Sequence, residues 1–362
     1  MHRDTANGPE VATGLQPRSD HTGALPREWR RWIAENKLRR CKDEQLIAVL
    51  QNHGFDAQEA AREIAEVTSN SLFEAGLRMA DKLGKLESLL AIYEQLSCLT
   101  PLTQAVEIRK SVPWSEFLCN YYALNQPLIL SKIMRNWKAL TVWSPAYLRN
   151  VCRDQAVEVM MERNSDPRYE INSFQHKMQI PFSEYVDLVT GSGETNDFYM
   201  TANNHFFDSP AAQPLLEDIV AFPEYLDADR LHSHTFLWFG PGGTVTPLHH
   251  DTSNILFAQV YGRKRITLIS PNQTPLVYNE IGVFSEVDCG RPDLEKFPAF
   301  RKVRKLDVLL NPGQVLFIPV GWWHYVRSLD ISISMSFTNF KAPNLYRWDK
   351  PEALMVCEPS QG

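Results

Sequence analysis

The alternation of apolar and polar positions changes character along the chain. Between residue 26 and about 97, apolar residues recur at intervals of three and four, the period of a helix with one buried stripe. "PREWRRWIAENKL" opens with a proline suited to a first turn, and "DEQLIAVLQNHGF" sets Leu46, Ile47 and Leu50 on one face. "DAQEAAREIAEV" starts at Asp56, a capping residue type, just after Gly54. A longer run, "SLFEAGLRMADKLGKLESLLAIYEQLS", repeats Leu72, Leu83, Leu86, Leu89, Leu90 and Tyr93 at mostly three- and four-residue steps. The pattern predicts a polar, flexible leader over 1–25 and an all-helical module over 26–100.

From about residue 101 the texture turns to short mixed elements. Between 234 and 338 it becomes a series of short runs rich in β-branched and aromatic residues: "HTFLWFG", "NILFAQVYG", "RITLISP", "DVLLNPG", "QVLFIPVG", "WHYVRS" and "DISISMSF". Gly, Pro or Asp bounds each run, the signature of strands joined by tight turns. Strands so closely spaced predict an antiparallel barrel or double sheet of the jelly-roll kind. The fold class expected is mainly β with helices: a double-stranded β-helix core over 101–342, the helical module ahead of it, and a short tail over 343–362.

Composition narrows the functional classes. With 44% hydrophobic and 22% charged residues the chain is an ordinary globular one, and no apolar run approaches the length of a membrane span. The start lacks the apolar stretch of a secretory signal, and the six cysteines are scattered without a Cys-x-x-Cys pair. Both point to the cytoplasm. A net charge of -6 argues against a general nucleic-acid binder. The run 27–42 is basic and carries Trp29 and Trp32; it reads as a solvated helix face, with an acidic partner as the alternative.

Candidate chemistry gathers in "TPLHHDTSN", residues 246–254. In a strand, side chains two apart share a face, so His249 and Asp251 converge while His250 points away. His324, in "FIPVGWWHYV", enters a late strand of the same predicted barrel. Two histidines and one carboxylate form the facial set of non-haem Fe(II) oxygenases. A His-x-Asp pair by itself is a frequent chance match, and zinc hydrolysis uses the same ligand types. No His-Glu-x-x-His helix is present to favour the latter.

Several stretches together carry a family resemblance: "WFGPGGTVTPLHHD", "FAQVYGRKRITLISP", "DLEKFPAF", "LNPGQVLFIPVGWWHYVRSLDISISMSF" and, upstream, "LNQPLILSKIMRNWKAL" with "WSPAYL". Over 112–340 the chain resembles the JmjC-type, cupin-like 2-oxoglutarate oxygenases, and within them the small JmjC-only protein hydroxylases. The resemblance implies Fe(II), 2-oxoglutarate and O2 as cofactors, with His249, Asp251 and His324 as the metal ligands and catalytic centre. It implies that Lys264, in "GRKR", takes the distal carboxylate of 2-oxoglutarate, with Arg263 and Arg265 on the opposite face of their strand. Thr246 and Tyr199 match positions whose hydroxyls contact the cosubstrate.

Two departures stand out. The asparagine that relatives carry six positions after the first histidine is displaced here, with Ile255 at that place and Asn254 one earlier. The tail after Phe340 is short compared with relatives that dimerise through C-terminal helices, so a homodimer is expected only through the helical regions.

The substrate implied is a side chain in a peptide or protein, hydroxylated at carbon, with Asp197, Asp208, Glu162 and Glu170 as candidates to receive a cationic residue. The alternatives are N-methyl-lysine demethylation, oxidation of a small metabolite or an RNA nucleoside, and a non-catalytic scaffold. "LIAVLQNHGFDAQEAAREI" also bears a faint likeness to the paired helices of ubiquitin-associated domains, set against helices that pack on the catalytic domain or a second subunit.

Overall fold

The computed structural model describes residues 25–100, 104–153, 155–202, 204, 206–231, 234–344 and 346. The expected leader, apart from Leu25, and nearly all of the expected tail therefore lie outside the described residues. The chain divides into two compact units, Met1–Tyr93 and Glu94–Gly362.

The first unit is helical: α1 (Arg27–Leu38), α2 (Asp43–Asn52), α3 (Ala57–Thr68) and α4, which starts at Ser71 and runs to Ser97. Asp56 caps α3 by accepting from the amides of Gln58 at 2.8 Å and Glu59 at 3.2 Å. Gly54, at φ 90, makes the turn that brings α3 back along α2. The core joins Trp29, Trp32 and Ile33 of α1 to Leu46 and Leu50 of α2 and to Phe55, Ala60 and Ile64. The tryptophans of the basic run are thus core residues. Its cations are partly neutralised inside the unit, since Arg30 pairs with Glu63 and Glu66, Lys37 with Asp43 and Arg40 with Asp81.

The second unit is built on strands β1 (Glu107–Arg109), β2 (Leu128–Leu130), β3 (Ala156–Met160), β4 (Lys177–Pro181), β5 (Thr235–Gly240), β6 (Val245–His249), β7 (Ile255–Tyr261), β8 (Lys264–Ile269), β9 (Leu306–Leu310), β10 (Val315–Ile318), β11 (Trp323–Ser328) and β12 (Ser332–Phe337). They form a six-stranded sheet in the order β1-β2-β10-β7-β12-β5, a four-stranded sheet β6-β11-β8-β9, and a β3-β4 pair. The seven runs expected from sequence all contain strands, and the two main sheets make the jelly-roll expected.

Period-two alternation sorts the side chains between layers. On β7, Phe257 joins the core between the sheets, with Ile255 packed against it, whereas Leu256, Ala258 and Val260 join the core on the outer face of the large sheet. The inter-sheet core is completed by Leu316 and Ile318 from β10 and by Ile266, Leu268 and Val326 from the small sheet. On the outer face of the small sheet, Leu248, Ile269 and Trp323 pack with Val277, Phe297 and Phe300. The inter-sheet space that these layers leave is where the chemistry collects.

Candidate metal centre

His249 is the last residue of β6, and His324, second in β11, lies directly opposite it in the ladder. Their rings stand 4.1 Å apart between centroids. One ligand atom from each of His249, Asp251 and His324 lies within 4.8 Å of the others, the one such cluster of three among the described residues. Asp251 Oδ2 is 3.3 Å from His324 Nε2.

The two imidazoles are oriented by the backbone. His249 Nδ1 is 2.8 Å from the Pro247 carbonyl and His324 Nδ1 is 3.0 Å from the Trp322 carbonyl. A carbonyl only accepts, so each Nδ1 carries the proton and each Nε2 presents a lone pair to the centre. Burial, reinforced by the neighbouring His324, holds His249 down at about 4, so it is neutral at physiological pH. Burial alone would raise Asp251, yet the facing His324 and the adjacent imidazoles bring it to about 2. Two imidazole nitrogens and a carboxylate are a donor set that fits a divalent transition metal with positions left open.

Two local features differ from simple strand geometry. Asp251 lies two residues beyond β6, which ends at His249, the last residue of the strand paired with β11. The turn is instead held by Gly321 N donating to the Asp251 carbonyl at 3.1 Å and His250 N donating to Val283 O at 3.0 Å. The His250 ring leans away onto Trp323. The second feature is a bulge. Between His324 and Val326 the partner on β6 moves from His249 to Thr246, three residues against two. Thr246 and His249, an odd number apart, therefore both line the same cavity. Pro247 lies in the bulged stretch, where no ladder donor is required.

That cavity, of about 280 Å³, is lined from both sheets, with His249, Asp251, His324, Lys264, Thr246 and Tyr199 all on its wall. Lys264 opens β8 after the turn at Gly262, whose φ of 67 suits glycine. A Cβ there would meet the Ile331 carbonyl at 2.1 Å. Lys264 is 1% exposed and donates to the Tyr199 hydroxyl at 2.6 Å. Its remaining neighbours are the ring faces of Phe257, Tyr199 and Trp238. Among the described residues no carboxylate pairs with it, and burial lowers it to about 7. Arg265 is exposed and Arg263 pairs with Asp330 outside. Tyr199 is fixed by backbone bridging between Met160 and Tyr199 and between Met200 and Phe239. Gly240 leaves room for its ring, since a Cβ there would lie 2.6 Å from Tyr199 Cδ2.

Asn254 does not line the cavity, though Ser253 and Ile255 do. It accepts from Val320 N at 2.9 Å and donates to Asn344 Oδ1 at 2.9 Å, bracing the turn before β11. Two of the acidic residues considered for substrate are already engaged. Glu170 accepts from Arg163 at 2.9 Å, and Asp197 accepts from Asn164 N at 3.0 Å.

Arg163 had no signal in the sequence, as one arginine in "MMERNSD" has no periodic or motif context. It is fully buried, sits over the rings of Tyr169 and Tyr199 at 4.2 and 5.3 Å, and donates to Asn196 and to the Val245 carbonyl. It therefore braces Tyr199 and the strand that carries Thr246.

Residues 114–344 match the cupin-like domain family, and the chain belongs to that family. Among its relatives are proteins named for the JmjC domain, such as Jumonji C domain-containing protein 5 of Drosophila melanogaster. It is 36% identical to lysine-specific demethylase 8 of Danio rerio over 61% of this chain and 55% of that protein. It is 31% identical to the Xenopus tropicalis protein of the same name over 68% of this chain and 56% of that one. Lysine-specific demethylase JMJ30 of Arabidopsis thaliana is 31% identical over 68% of this chain and 58% of its own length. The match thus spans little more than half the length of these relatives. No helix among the described residues is long and apolar enough to cross a membrane.

Proposed function

We propose that this chain is an Fe(II)- and 2-oxoglutarate-dependent oxygenase that hydroxylates an amino-acid side chain in a peptide or protein. The observation that carries the reading is a single cavity holding both a two-histidine, one-carboxylate cluster and a buried lysine with no carboxylate partner among the described residues. A metal-only site would have no use for such a lysine, whose burial without an anion is unfavourable.

In this reading His249 and His324 hold the iron through Nε2 and Asp251 through its carboxylate. Lys264 and the Tyr199 hydroxyl take the distal carboxylate of 2-oxoglutarate, and the Thr246 hydroxyl contacts the same molecule. When bound, iron with 2-oxoglutarate and O2 supplies the oxidation: one oxygen atom leaves in succinate formed with CO2, and the other enters a substrate C–H bond. The apolar wall formed by Ile255, Phe257, Ile266, Ile318 and Val326 excludes water and strengthens the Lys264–carboxylate attraction. The helical module is assigned to 26–100 and the catalytic domain to 101–342.

The names of the relatives favour a second reading, N-methyl-lysine demethylation, in which the same oxidation falls on a methyl carbon and releases formaldehyde. A polypeptide substrate is common to both readings. The test is succinate formation by anaerobically Fe(II)-loaded protein with and without a pooled peptide library. Peptide-stimulated succinate supports the proposal, peptide-independent succinate redirects it to a metabolite or RNA, and no succinate leaves a scaffold.

A further inference from the structure

We propose that α4 is a dimerisation seam, along which two copies of this chain pair in parallel as a two-stranded coiled coil. The helix buries none of its side chains, and the core of the first unit closes with α1–α3 alone. Along one stripe stand Leu72, Gly76, Met79, Leu83, Leu86, Leu90 and Tyr93, separated by steps that alternate between four and three. That is a repeat of 3.5 rather than 3.6 residues, the period at which a helix keeps its seam against a supercoiled partner. No charged residue interrupts the stripe. Leu72 is 79% exposed, Met79 69% and Leu86 54%, an apolar surface of the kind that marks an interface. Asp81, on the far side of the helix, is the residue tied to Arg40, and Leu72, Met79, Leu83, Leu86 and Tyr93 of the stripe are exposed, while Gly76 lies against Leu38 of α1.

Charge selects the occupant and the orientation. With Leu83 and Leu90 at a and Met79, Leu86 and Tyr93 at d, Lys82 falls at g and Glu87 at e. In a parallel pair each g residue faces the e residue five positions on in the partner, so Lys82 of each copy meets Glu87 of the other. The seam is thus complementary to itself. An antiparallel pair sets e against e and separates Glu87 from the lysine.

The test uses the full chain in sedimentation velocity over a concentration series. The expected mass is twice the 41.5 kDa of one chain, and Leu86→Glu yields monomers with an unchanged circular dichroism spectrum. Lys82→Glu weakens association about tenfold or more by placing like charges at both pairs, and adding Glu87→Lys restores it. Leu90→Cys forms an intermolecular disulfide on mild oxidation. A chain that stays monomeric at every concentration overturns the proposal, because the stripe is then covered by another part of the same chain or by none. A dimer indifferent to Leu86→Glu, or a charge swap that fails to restore association, also overturns it.

Discussion

Lys264 and Tyr199, each almost fully buried on the wall of the cavity, share a hydrogen bond of 2.6 Å. Aromatic faces surround the ammonium where an ion pair would ordinarily stand. A lysine buried in this way is destabilised in its charged form, and an incoming carboxylate removes that penalty. The arrangement is therefore built around a ligand that brings its own negative charge.

Cosubstrate affinity should follow the Lys264 proton. Burial lowers the amine to about 7 in the ligand-free fold, from the 10.5 usual for lysine. A bound carboxylate favours the protonated form, so 2-oxoglutarate affinity is flat below about pH 7 and weakens up to about tenfold per unit above it. The unfolded chain binds the extra proton between those two values, so this residue makes stability of the ligand-free protein rise with pH across that window. Calorimetric titration near pH 8 in buffers of different ionisation enthalpy should show proton uptake on binding. Lys264→Ala should abolish the uptake and raise the KM for 2-oxoglutarate roughly 10- to 100-fold, the worth of a charged hydrogen bond. Binding with no pH dependence would place the anchor elsewhere.

Replacing either ligand should separate chemistry from folding. His249→Ala and Asp251→Ala are expected to eliminate metal-dependent succinate formation while shifting Tm by no more than roughly 2–4 °C, about 1 kcal/mol in a unit of this size. Turnover retained in both variants would refute the assigned centre.

Arg163→Met should be the most destabilising change near the cavity. It leaves Glu170, half-buried, without its partner, at a cost of about 3 kcal/mol in urea unfolding. Adding Glu170→Gln should recover much of the loss, and strictly additive effects would contradict a coupled pair.

Asn254→Ala tests the displaced asparagine. Loss of its bonds to Val320 and Asn344 should lower stability by about 1–3 kcal/mol and leave the KM for 2-oxoglutarate within about twofold. A tenfold higher KM would mean that Asn254 reaches the cosubstrate after all.

Much of this was legible in the sequence, and what was hidden has physical causes. The seven runs between 234 and 338 carry strand periodicity strongly enough to be read directly, and the mainly β, jelly-roll class follows from their spacing. The grouping of His249 with His324 came from the ligand types and the family resemblance, while the ladder register that sets them directly opposite one another is encoded in no local pattern. Alternation assigned Asp251 to the strand, whereas β6 ends at His249 and Asp251 sits in the turn that follows, held by Gly321 and by Val283 through His250. Alternation also forbids Thr246 and His249 from sharing a face, and only the bulge at Pro247 reconciles them. Arg163 was invisible because its role depends on Tyr169, Tyr199 and Val245, which lie far apart along the chain in part and meet only in the fold.

The most direct test of the central claim is the fate of oxygen under 18O2. Fe(II)-loaded protein, 2-oxoglutarate and a peptide that stimulates succinate formation are analysed by mass spectrometry of the peptide and of succinate. One labelled oxygen is expected on a side-chain carbon of the peptide for each coupled succinate, and none in the Asp251→Ala variant. Formaldehyde with loss of a methyl group, or succinate formed while the peptide stays unlabelled, would contradict it.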